Sequence, residues 1–110
     1  MAADRKIVLA KAVLKAAEQL DLDSENLSVI LGTDLRSRNT LELDPESELG
    51  NRAILLIRIY RALYAVNGGN LAWMQRFMKS PNGATGGTPS EQIKTYAGLL
   101  KVLRYLDASM

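Results

Sequence analysis

Apolar residues recur at helical spacing along most of this chain, which predicts a protein built almost entirely from helices. Residues 4–20 are rich in Ala, Leu and Lys, all strong helix formers, and carry one apolar stripe. A second, shorter helix is predicted from Ser24, as its N-cap, to Leu31, with Gly32 at its end. The first stripe consists of Ile7, Ala10, Leu14, Ala17 and Leu20.

The most apolar stretch predicts a central, buried helix. Asp44-Pro45 is a strong start signal, because Asp caps helices and proline is favoured at the first helical position. The segment Ile54–Tyr60 is apolar over most of a helix circumference, and Gly68-Gly69 is expected to stop the helix near Asn67. β-branched residues leave a strand conceivable here, but the length and the flanking signals favour a helix.

The last forty residues predict further helices. Asn70 caps a helix predicted over Leu71–Lys79. Thr88-Pro89-Ser90-Glu91 fits a capping box, and the helix after it is expected to break or kink near Gly98 and to run to about Asp107. No pair of alternating segments predicts a sheet. The predicted fold class is therefore all-α, a small helical bundle.

Composition excludes several kinds of site and argues against an enzyme. The 110 residues suffice for one domain or two very small subdomains. Cysteine and histidine are absent, which excludes disulfides, thiol nucleophiles and Cys/His zinc sites and removes the most common general base. No carboxylate pair stands beside a nucleophile or a ligand cluster. We therefore expect no catalytic residue, no metal, no cofactor and no small-molecule substrate.

The apolar segments do not suit a membrane protein. The run Ala53–Val66 is too short to span a bilayer and carries Arg58 and Arg61. The first apolar stretch is interrupted by Lys11 and Lys15, so it does not read as a signal peptide. We expect a soluble, cytoplasmic protein without a membrane partner.

Charge is distributed unevenly along the chain. Residues 1–50 hold six Lys or Arg against ten Asp or Glu, a net charge of −4. Residues 51–110 hold eight against two, a net charge of +6. An acidic front half and a basic back half suggest different partners for the two ends.

The segment Leu27–Gly32, followed by the polar residues 33–40, resembles the first helix, turn and recognition helix of a helix-turn-helix. Its candidate DNA contacts are Arg36, Arg38, Asn39 and Thr40. Phosphate contacts supply most of the affinity for DNA, yet acidic residues surround this segment. A helical scaffold whose arginines pair with those acids remains the alternative.

Residues 80–89 contain the densest run of Gly, Pro and Asn. The glycines could cradle a phosphate at the following helix N-terminus. However, the Gly-Lys-Ser/Thr ending of a P-loop and a preceding strand are both missing. A compact turn with glycines at positive φ is the favoured interpretation.

Two helix faces are candidates for protein contacts. For Phe77 a core position is favoured, whereas Trp73 fits the core and a partner surface about equally. Tyr105, with Lys101 and Arg104, falls off the apolar stripe of the last helix, which suits a contact surface or a solvated face. Arg58 and Arg61 share a face of the central helix and could mark its solvent edge or a docking patch.

The order of motifs from residue 44 to the C-terminus resembles that of Xre/MbcA/ParS-type antitoxins. The Pro-Asn and Gly-Gly-Thr-Pro block, followed by a Gly-Leu and Tyr-Leu-Asp block, is hard to produce by chance. The matching motifs are Asp44-Pro45-Glu46-Ser47, the stretch from Leu55 to Leu63, Gly68-Gly69, Trp73-Met74, Ser80-Pro81-Asn82, Gly86-Gly87-Thr88-Pro89 and the helix from Gly98 to Ala108.

This resemblance implies an all-helical antitoxin with two parts, a helix-turn-helix-like part over residues 1–43 and a toxin-binding domain over residues 44–110. Antitoxins of this kind bind a RES-domain toxin, an enzyme that depletes cellular NAD, and often repress their own promoter. They tend to dimerise, so a homodimer within a hetero-oligomeric complex is expected.

The resemblance also assigns roles to individual residues. The C-terminal helix with Lys101, Arg104 and Tyr105, together with Trp73, is implied to contact the toxin. The implied structural signature is Pro81, Asn82, Gly86, Gly87, Thr88 and Pro89. The segment between Gly32 and Asp44 is shorter than a full turn and recognition helix, so contact with operator DNA is left open. The alternative function is a DNA-binding transcriptional regulator of the Xre type.

Overall fold

The computed structural model describes residues 4–35 and 42–109, and these form six helices and no strand. This confirms the predicted all-α fold class. The helices are α1 (Arg5–Gln19), α2 (Ser24–Leu31), α3 (Glu48–Asn67), α4 (Leu71–Lys79), α5 (Pro89–Gln92) and α6 (Tyr96–Ala108).

Helix α3 is the hub of the bundle. It packs against α1, α2, α4 and α6. Its residues Leu56, Ile59 and Leu63 have no exposed surface and belong to one hydrophobic core that extends from Leu9 to Leu106. The division at residues 43 and 44 stays a prediction.

Helix α1 lies within the predicted range 4–20, with Asp4 and Leu20 as its caps, but its buried face is turned relative to the prediction. Leu14 is 44% exposed, whereas Val13 is fully buried. The buried residues are Leu9, Ala10, Val13, Ala16 and Ala17, with Leu20 at the C-cap. The prediction was wrong for Leu14 because small alanines, which carry little hydrophobic signal, line the true contact face.

Helix α2 begins one residue earlier than predicted and ends at Leu31 as predicted. Its N-cap is Asp23, whose Oδ1 accepts a hydrogen bond of 2.8 Å from the Asn26 N–H. Gly32 has φ of +81° and closes the helix with its N–H bonded to the Ser28 carbonyl. A left-handed C-cap of this kind is the usual role of glycine at a helix end.

Helix α3 starts three residues later than the Asp44-Pro45 signal predicts. Its N-cap is Ser47, whose Oγ accepts from the Gly50 N–H at 3.0 Å. Asp44 instead caps a turn, because its Oδ1 accepts from the Glu46 N–H and its carbonyl from Ser47. A Cβ at Gly50 would overlap the Asp44 carbonyl, so the turn folds back against the first turn of α3. At the other end, Gly68 and Gly69 have positive φ and stop the helix as predicted.

The C-terminal helices depart from the predicted capping box. Thr88 makes no side-chain capping bond, and α5 is a single turn with Pro89 buried at its start. The break lies at residues 93–95 rather than at Gly98, and Thr95 caps α6 by accepting from the Gly98 N–H at 3.0 Å. A Cβ at Gly98 would overlap the Gln92 carbonyl, so glycine here allows α6 to start directly against the end of α5.

Candidate interaction surface

Three aromatic rings form a continuous row across α4 and α6. The Trp73 ring stacks on Phe77, with centroids 5.8 Å apart and planes inclined by 20°. The Phe77 ring stacks in turn on Tyr105, with centroids 6.3 Å apart and planes inclined by 8°. Phe77 and Tyr105 are half-buried against the core, whereas Trp73 is 37% exposed. We call these three residues the aromatic row.

Helix α4 holds its two rings in place through contacts on its opposite edge. The Gln75 Nε2 donates to the Gln19 carbonyl at the end of α1 at 3.0 Å. Lys79 forms an ion pair with Asp21 just beyond that end. Trp73 and Phe77 are four residues apart, and this places them on one edge of the helix. The fixed edge therefore orients the aromatic edge towards α6.

Helix α6 presents its predicted contact residues on one face. Lys101 and Tyr105 are four residues apart and Arg104 lies between them, so the three side chains share one side of the helix. Lys101 and Arg104 are exposed. The opposite face is buried through Leu99, Val102, Leu103 and Leu106. The structure thus brings Tyr105 and Trp73, predicted from separate segments, to the same surface through Phe77.

The ring of Phe77 packs half-buried against the core, in keeping with the core position favoured from the sequence, but its stacking between two other rings was not predicted. The structure makes it the central ring of the row, in contact with both predicted residues. The signal that could have found it is the spacing of four between Trp73 and Phe77, which places both on one edge of a helix.

Hydrogen bonds to its own backbone groups hold the loop between α4 and α5 in a fixed conformation. The Asn82 carbonyl accepts from the N–H groups of Gly86 and Gly87, and its Oδ1 accepts from the Ala84 N–H at 2.8 Å. Asn82 and Gly87 also form an isolated antiparallel bridge. Because these amides are already bonded within the loop, they do not form a phosphate cradle. The favoured interpretation as a compact turn holds.

Buried polar groups close this loop onto α5. Thr85 is fully buried, and its Oγ1 lies 3.2 Å from both the Asn82 and the Gly87 carbonyl oxygens. The Gln92 Nε2 donates to the Thr85 carbonyl at 2.6 Å. Gly86 has φ of +83°, whereas Gly87 does not have a positive φ. A Cβ at Gly87 would lie 3.3 Å from the Gln92 side chain, so the second glycine makes room for Gln92 to approach the loop closely.

The described basic side chains of the C-terminal half fall into two equal groups. Four form ion pairs: Arg52 with Glu48, Arg58 with Asp107, Lys79 with Asp21, and Lys94 with Glu91. The other four are exposed and make no ion pair with any residue in 4–35 or 42–109; they are Arg61, Arg76, Lys101 and Arg104. Two of these four are predicted contact residues, so the candidate surface carries uncompensated positive charge.

The predicted DNA contacts Arg36, Arg38, Asn39 and Thr40 lie outside the described residues, and the helix-turn-helix interpretation stays a prediction. Among residues 4–35 and 42–109, no group of three or more acidic side chains is placed to hold a metal ion. No helix in that part of the chain has the length and apolar character needed to span a membrane.

One comparison with known proteins identifies the part of the chain that carries this surface. Residues 62–109 match the family model described as the antitoxin Xre/MbcA/ParS C-terminal toxin-binding domain. The matched range covers the end of α3 and all of α4, α5 and α6, including the aromatic row. This confirms the family resemblance over residues 62–109, whereas the matching motifs at residues 44–61 lie outside the matched range. No curated protein matches the chain.

Proposed function

We propose that this chain, whose residues 62–109 belong to the toxin-binding domain family of Xre/MbcA/ParS antitoxins, neutralises a RES-domain toxin by direct protein contact. The toxin of this proposal is an enzyme that depletes NAD, and the antitoxin blocks its active site or the access to it. The observation that carries the proposal is the aromatic row, which lies within the matched range and reaches the surface at Trp73. Because NAD is consumed in the cytoplasm in such a system, the complex is assigned to that compartment.

The four candidate contact residues contribute to the interface in two ways. Trp73 and Tyr105 supply large rigid rings, which are enriched among the residues that dominate binding energy. Lys101 and Arg104 flank Tyr105 with positive charge that no described acid neutralises. This combination suits a partner surface that has an apolar pocket bordered by Asp or Glu.

The proposal predicts rescue of growth when this chain is co-expressed with the toxin encoded beside it. The double variant Arg104→Ala/Tyr105→Ala is expected to weaken the complex at least about tenfold, because it removes an arginine and an aromatic side chain from the proposed contact surface. Affinity purification of the tagged chain, sizing of the complex and measurement of cellular NAD test this together.

The matched control is Lys11→Ala/Lys15→Ala, since both lysines are exposed on α1 and make no ion pair among the described residues. This variant is expected to rescue growth as the original chain does. Full rescue of growth and unchanged affinity in Arg104→Ala/Tyr105→Ala would show that the proposed surface does not contact the toxin. A toxic partner that leaves NAD unchanged would exclude a RES enzyme.

Autorepression is the second part of the proposal. A dimer of this chain within the complex would bind a palindromic operator through Arg36, Arg38, Asn39 and Thr40 in the helix-turn-helix-like part. Binding to its own promoter is expected to fall steeply with salt, because phosphate contacts release counterions. Arg36→Ala/Arg38→Ala should abolish a gel shift of that promoter while toxin binding persists. No shift with the original chain, alone or with toxin, would contradict this part and the alternative of a transcriptional regulator.

A further inference from the structure

The surface of α3 carries an exposed arginine that the proposed toxin contact does not use. Arg61 is exposed and makes no ion pair within residues 4–35 and 42–109. Arg58, one turn earlier on α3, reaches Asp107 on α6 at 3.7 Å. The Arg58–Asp107 pair thus connects the exposed face of α3 with the face of α6 that bears Arg104.

These residues form one cationic strip. We define it as Arg61, Lys101 and Arg104 together with the Arg58–Asp107 pair. Asp107 is the only acid in the strip, and its charge is offset by Arg58. The other acid of the C-terminal half, Glu91, is paired with Lys94. The three remaining cations of the strip therefore project a positive field that this half of the chain does not cancel.

Two shallow depressions lie beside Arg61. Arg61 lines two depressions, one of about 210 Å³ with Arg58, Ala62 and Asp107, and one of about 340 Å³ with Tyr60, Tyr64 and Ala65. The Tyr60 and Tyr64 rings lie 6.1 Å apart, and Tyr64 is 49% exposed. An Asp or Glu side chain can meet the Arg61 guanidinium while an apolar neighbour contacts the tyrosine rings.

We propose that the cationic strip extends the candidate contact surface from Arg104 to Arg61, where it steers an acidic surface of the toxin onto the aromatic row and sets the rate of association. This inference rests on the proposed function. Charges at the edge of an interface act mainly on the association rate and its salt dependence, whereas buried aromatic anchors act on the dissociation rate. The strip and the row therefore control different rate constants of one complex.

The test measures both rate constants for the purified chain and an inactive variant of the toxin. Arg61→Gln should slow association about 2- to 5-fold at low salt and leave dissociation nearly unchanged. The difference should vanish at 1 M salt, where the screening length falls to about 3 Å. Asp107→Asn should have the opposite effect and speed association, because it removes the one acid of the strip and frees Arg58.

Lys15→Gln is the matched control, since it removes the same charge from an exposed position of α1. Its association rate should differ from that of the original chain by less than the change in Arg61→Gln. Equal effects of Arg61→Gln and Lys15→Gln would overturn the inference, as would a change confined to dissociation. Absence of any binding by the original chain would instead overturn the proposed function, so the two failures are distinguishable.

Discussion

Gly68, Gly83 and Gly98 differ in what a side chain at each would meet. Gly68 has φ of +61° but open space around it, Gly83 has open space and no positive φ, and Gly98 lies against the Gln92 carbonyl. Gly68→Ala should therefore lower the free energy of unfolding by about 1–2 kcal/mol, because a residue with a Cβ is strained in the left-handed conformation. Gly98→Ala should lower it by about 3 kcal/mol, because backbone must move.

Chemical denaturation of the three alanine variants checks this order. Gly83→Ala serves as the control, and we expect its free energy of unfolding to stay within about 0.5 kcal/mol of the original. A Gly98→Ala variant as stable as Gly83→Ala would mean that α5 and α6 separate without loss, and it would contradict the close packing described for the start of α6.

At the scale of elements, the sequence predicted which helices exist better than where they begin. Asp44 and Ser47 are two capping residues in series, and local rules favour the first because Pro45 follows it. The fold selects Ser47, since Gly50 must pack against the Asp44 carbonyl. That contact exists only once the turn has closed. No local sequence pattern therefore predicts this contact.

The buried face of α1 and the end of α5 were missed for the same kind of reason. Ala16 and Val13 are buried, but alanine weighs little in a hydrophobic pattern beside the exposed Leu14. Gly98 was read as a helix breaker, although it sits in the first turn of α6 as a point of close approach to Gln92. The break itself lies at residues 93–95, and the reason for glycine at position 98 is visible only in its packing against the neighbouring turn.

At the scale of the whole molecule, the fold joins segments that the sequence kept apart. Trp73 and Tyr105 were selected separately, and the ring of Phe77 places them in one row. Lys79 from the basic half is paired with Asp21 from the acidic half, so part of the charge asymmetry is cancelled inside the molecule. The uncancelled part lies on α3, α4 and α6, in residues 61–104.

A substitution in the aromatic row should affect toxin binding and folding stability to different extents. Phe77→Leu keeps an apolar side chain against the core but removes the ring that stacks on both Trp73 and Tyr105. The free energy of unfolding should fall by about 1.5 kcal/mol, since the aromatic contacts are lost while most of the buried volume stays filled. The free energy of toxin binding should fall by more than the free energy of unfolding, because Trp73 and Tyr105 both lose the ring that fixes their orientation.

Met74→Leu on the same helix is the control. Met74 is fully buried, and a change to Leu conserves volume, so stability should drop by less than about 1.5 kcal/mol and toxin affinity should remain. Denaturation and toxin titration of both variants therefore compare a ring in the row with a side chain in the core. If the two variants bind the toxin equally well, the row is part of the packing of α4 on α6 and not of the toxin contact. If only Phe77→Leu binds weakly, the orientation of Trp73 and Tyr105 is what the toxin recognises.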